Sequence, residues 1–109
     1  MKYLSSLFVL LMLVTVDGVW QGRVDSYTNN LSYTLTLMLQ QTGSQIDGTY
    51  YDSLGNAGKV SGSCDFPDGT LSVLPNGPDF DMIVAPNGNS LSLNSEDNNT
   101  VGYLEKTSR

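Results

Sequence analysis

The sequence predicts an all-β fold, an antiparallel up-and-down meander of about eight strands closed as a small barrel. Three observations carry this. Apolar residues recur with period two from Trp20 onward, turn-forming Gly dipeptides separate the alternating runs, and no gap between runs has room for a crossover helix. An open sheet or a two-sheet sandwich is the alternative closure of the same pattern.

The N-terminus reads as an address. Lys2 supplies a short positive region, and residues 4–16 form an apolar run broken only by Ser5, Ser6 and Thr15. A spanning helix needs about 20 apolar residues, so the run is short for a bilayer. Cleavage after Gly18 would leave Val16 and Gly18 at the small-residue positions before the cut. The expectation is a secretory signal over 1–18 and a barrel domain over 19–109, in a secreted or periplasmic protein without a membrane span in its mature form. The other reading keeps the segment as a helix or first strand packed on the domain.

A first strand follows at 19–25. The second has the clearest alternation, with Leu31, Tyr33, Leu35, Leu37 and Leu39 facing one way and Ser32, Thr34, Thr36, Met38 and Gln40 the other. Ile46, Gly48 and Tyr50 alternate with Asp47, Thr49 and Tyr51; Val60, Gly62 and Cys64 alternate with Ser61, Ser63 and Asp65. Further runs lie at 70–74, 79–85, 90–95 and 101–107, with inward candidates Leu71, Val73, Phe80, Met82, Val84, Leu91, Leu93 and Tyr103. Thr42-Gly43-Ser44, Asp68-Gly69, Asn76-Gly77 and Asn87-Gly88 supply the positive φ angles of tight hairpin turns. Residues 52–58 and 97–99 form looser connections. The outward positions are mainly Ser, Thr, Asp and Gln, the opposite polarity to an outer-membrane barrel, so a soluble barrel with a greasy interior is expected.

Gly18-Val19-Trp20 resembles the Gly-x-Trp that opens the first strand of lipocalin and avidin-like barrels of the calycin group. Gly48-Thr49-Tyr50 is similar to the Gly-Thr-Tyr of an avidin strand. The resemblance implies that Trp20 closes one barrel end, with Lys106 or Arg109 stacked over it. Trp20 is the only Trp, so the aromatic cage of biotin binders is missing and only Tyr50 carries over from that pocket. Lipocalins are longer, with a C-terminal helix and usually a disulfide. Small periplasmic barrels of lipocalin type, protease inhibitors among them, are closer in size.

Composition narrows the chemistry. With a net charge of -6 and Arg23, Lys59, Lys106 and Arg109 scattered, there is no basic footprint for nucleic acid. The absence of His removes Ser-His-Asp and Cys-His systems and the commonest zinc ligand. Lone Cys64 has no intramolecular partner and alternates inward, as a small core residue does. Asp79 and Asp81 share a strand face, where solvation explains them better than acid-base work. Glu96, Asp97, Asn98 and Asn99 offer oxygen ligands without the spacing of a defined calcium site. Neither an enzyme nor a cofactor is expected.

If Trp20, Ile46 and Val60 point inward, Gly22, Gly48 and Gly62 do too, each leaving a methyl-sized gap. Either the glycines let strands bend at barrel corners or receive side chains such as Trp20, Phe66 or Phe80, or they open a small pocket. Tyr33, Gly48, Tyr50, Gly62, Met82 and Tyr103 are the candidate residues of that pocket, its hydroxyls orienting a small hydrophobic molecule. A calycin-like ligand carrier is one expectation. A protein partner, met as an inhibitor or assembly module through the turns or exposed Tyr27, Met38 and Tyr51, is the other. Tyr50 and Tyr51 discriminate, since adjacent strand residues face opposite ways.

Overall fold

The structure is a computed structural model that describes residues 15–75, 77–96 and 99–107. Eight strands run in chain order: β1 (Gly18–Ser26), β2 (Leu31–Thr42), β3 (Gln45–Asp52), β4 (Ala57–Asp65), β5 (Asp68–Leu74), β6 (Asp79–Val84), β7 (Ser90–Ser95) and β8 (Thr100–Lys106). Each pairs antiparallel with the next, and β1 pairs with β8, so the meander closes as a barrel. Closure leaves no strand edge unpaired. Among the described residues no helix is long and apolar enough to cross a membrane.

The alternation places the core as expected on most strands. Trp20 and Val24, Leu35 to Leu39 on alternate positions, Ile46, Val60, Cys64, Leu71, Phe80, Met82, Val84, Leu91 and Leu93 are all buried. Burying each of the larger side chains contributes about 1.5–3 kcal/mol. Tyr50 is half-buried against this core while its neighbour Tyr51 is exposed.

Tyr103 departs from the expectation. On β8 the inward positions are Gly102 and Leu104, both buried, and Tyr103 stands on the outer face with 57% of its surface exposed. Its ring made 101–107 read in the wrong phase, because the residue that truly alternates inward beside Leu104 is a glycine without hydrophobic signal. Thr36 also departs: it faces outward yet is buried, covered by Gln21, whose amide donates to its hydroxyl at 3.1 Å.

The connections are short. Gly43 (φ 62°) and Gly88 (φ 73°) take the left-handed conformations expected of their turns. Asp68-Gly69 forms no turn: both residues lie in β5, paired with Asp65 and Cys64, and Phe66-Pro67 makes the bend. Gly69 instead faces inward, where an added Cβ would come within 2.7 Å of the Met82 methyl. Phe66, at that bend, is exposed and fills no interior gap.

Candidate functional site

The strands tilt, so one row of paired residues climbs the barrel from Lys106 through Trp20 and Leu37 to Tyr50 and Gly58. Its lower part closes one end. Trp20 is fully buried, and its indole N–H donates to the Val16 carbonyl at 2.9 Å. Val16, also fully buried, donates its own N–H to Gln41 Oε1 at 3.0 Å, and the Gln41 N–H donates to Asp17 Oδ1 at 2.6 Å. Lys106 Nζ lies 5.7 Å from the Trp20 ring centroid, the cation-over-indole pair implied by the Gly-x-Trp resemblance. Arg109, the other cation considered there, lies outside the described residues, as do residues 1–14 of the expected signal. The packed barrel thus includes Val16 and Asp17, upstream of the expected cleavage at Gly18.

The opposite end is open. A cavity of about 200 Å³ lies there, walled by Leu35, Val73, Pro78 and Phe80 and rimmed by Tyr33, Tyr50, Asp52 and Asn56. Tyr33 comes from β2, Tyr50 and Asp52 from β3. The Tyr50 ring lies over Gly58 on the next strand, where a Cβ would stand 3.0 Å from the ring edge, so the glycine makes room for the aromatic. Burial pushes the Tyr33 phenol above its usual range, and the nearby charge of Asp52 and then Tyr50 add to that. Tyr33 therefore serves as a neutral hydroxyl.

Asp52 continues the inward phase of Ile46, Gly48 and Tyr50 to the last residue of β3. Its Oδ1 accepts the N–H groups of Leu54 and Asn56, both at 3.0 Å, and its Oδ2 accepts the Asn56 amide at 3.2 Å. Gly55 (φ 95°) completes this Asx-type turn. The carboxylate is thus held at the rim with acceptor capacity to spare.

Of the six residues expected to line a pocket, the structure brings Tyr33 and Tyr50 together. Met82 is fully buried in the core and Tyr103 is outside. Gly48 and Gly62 open no space: a Cβ at Gly48 would strike the Met38 carbonyl and one at Gly62 the Thr70 carbonyl, as one at Gly22 would strike that of Tyr103. Backbone of the neighbouring strand stands where each side chain would be. Sequence reasoning missed Asp52, Asn56 and Pro78, which it had left in connections, although the phase of Ile46, Gly48 and Tyr50 already pointed Asp52 inward.

Elsewhere, Asp65, Asp68 and Asp81 border a shallow outer groove with Met82 and Ile83. Among the described residues no group of three or more His, Cys, Asp or Glu could hold a metal ion. Cys64 is buried, and burial, then Asp65 and Asp68, pushes its thiol pKa up, away from thiolate reactivity. No family model, curated protein or solved structure matches the chain.

Proposed function

We propose that this chain is an exported, calycin-like binding module that holds a small, largely apolar molecule at the open end of its barrel without transforming it. One observation carries the reading: a cavity lined by Leu35, Val73, Pro78 and Phe80 together with Tyr33 and Tyr50 at one end, opposite an end filled by Trp20 and Val16. Apolar walls with a few placed polar groups are the usual form of a small-ligand site. The Lys106-Trp20 stack supports the calycin comparison, and the apolar run at 4–16 supports export. Native mass spectrometry of protein purified from the exported fraction tests it. The expected result is a reproducible added mass lost on denaturation; bare protein throughout counts against a tight ligand.

A second reading, a protein-interaction module, rests on one outer row. Ile83 and Tyr103 flank Ser92 in consecutive strands, and each is 57% exposed. Crosslinking in the exported compartment, with Tyr103→Ser as control, separates this reading from the first.

A further inference from the structure

We propose that the open end selects ligands with a cationic amine head and rejects carboxylates, an inference that rests on the ligand-binding reading above and specifies its chemistry. Three aromatic side chains, Tyr33, Tyr50 and Phe80, and one carboxylate, Asp52, line the same small cavity. Ring faces and a carboxylate are the groups that attract an organic ammonium, through the aromatic quadrupole and direct charge.

No cation among the described residues balances that carboxylate. Arg23 is spent on the outer face, its Nε donating to Asp25 at 2.9 Å. Lys59 is exposed on an outward position of β4, and Lys106 lies over Trp20 at the far end. The partners of Asp52 are neutral N–H groups from its own turn. They fix its position and leave its charge to act on whatever enters.

Size limits the body of the ligand. A cavity of about 150 Å³ accepts a benzene, so about 200 Å³ takes one ring with a short tail. The ring would rest on Leu35, Val73 and Phe80, and the tail would carry the ammonium to Asp52.

The test uses three probes with one body and different heads: 2-phenylethylamine, 2-phenylethanol and 3-phenylpropionate. Each is titrated into isotopically labelled protein while the resonances of Tyr33, Tyr50 and Asn56 are followed by NMR. The amine is expected to bind about 10-fold tighter than the alcohol, with the acid weakest, and its advantage should shrink as salt is raised. In Asp52→Asn, whose amide oxygen can still accept the turn N–H groups, the amine should fall to within about 2-fold of the alcohol. Equal binding of amine and alcohol, or preference for the acid, overturns the head-group selection and leaves the binding reading standing. No shift at these residues with any probe at millimolar concentration overturns both.

Discussion

At one end of the barrel an indole, a valine and a lysine stack together, the indole N–H and the valine N–H both partnered; at the other, two tyrosines, Asp52 and Phe80 stand around open space. Both ends are built from the same period-two strands. The difference lies in what reaches back over the last inward residues. At the Trp20 end, Val16 precedes β1 and folds beneath the indole, and Gln41 ties the two segments together. At the Tyr33 end, the turn at 53–56 is held to Asp52 by its own hydrogen bonds and Gly77 donates its N–H to the Val73 carbonyl, with the cavity between Asn56 and Gly77. Open space in this barrel lies at the rim; Gly22, Gly48 and Gly62 are spent on close strand approach.

The comparison can be broken most directly by matched truncations. Trp20→Ala is expected to destabilise the barrel by about 3–5 kcal/mol, the range for a fully buried large aromatic. Tyr33→Ala, at the half-open end, should fall well short of that. Denaturant unfolding measures both, and equal losses would mean that the rim packs like the plug.

Removing residues through Gly18 comes next. Compared with a chain starting at Thr15, one starting at Val19 loses the buried Val16 side chain and leaves the Trp20 indole without its acceptor. About 2–4 kcal/mol should be lost, summing apolar burial and a broken buried hydrogen bond. Unchanged unfolding midpoints would show that Val16 is not needed for closure. Lys106→Gln is a smaller change, expected to cost about 0.5–1 kcal/mol from the cation–indole pair, with a shift in Trp fluorescence as its local signature.

The smallest effect is at the mouth and depends on pH. The Tyr33 phenol has a higher pKa folded than unfolded, so folding favours its protonated form. That contribution is complete below the unfolded value near 10 and is lost as pH rises through the folded value. In an alkaline ultraviolet titration Tyr33 should ionise above the ordinary tyrosine range, and Asp52→Asn should bring it earlier. Simultaneous ionisation in both proteins would remove Asp52's field from the description of the mouth.

Much of this was legible in the alternation. Tyr50 inward and Tyr51 outward, Cys64 in the core and the eight-strand meander all follow from a period that a strand cannot change without flipping every side chain. Tyr103 was misread because hydrophobicity reports only side chains, and on β8 one of the inward residues is Gly102. The fate of Gly22, Gly48 and Gly62 was hidden for a different reason. Whether an absent side chain leaves space depends on how closely the next strand coils past it, which no single strand's sequence records. Asp52 was overlooked because acidity next to Ser53, Gly55 and Asn56 reads as a turn. It is both the anchor of that turn and an inward residue.

If the chain is processed at its N-terminus, the Val16 carbonyl gives the position of the cut a structural meaning. An export protease that cut after Gly18 would remove the acceptor of the Trp20 indole together with Asp17, the anchor of Gln41. A cut ahead of Thr15 would keep both. The position of such a cut would therefore decide whether the Trp20 indole keeps its hydrogen-bond acceptor and Val16 its place in the core.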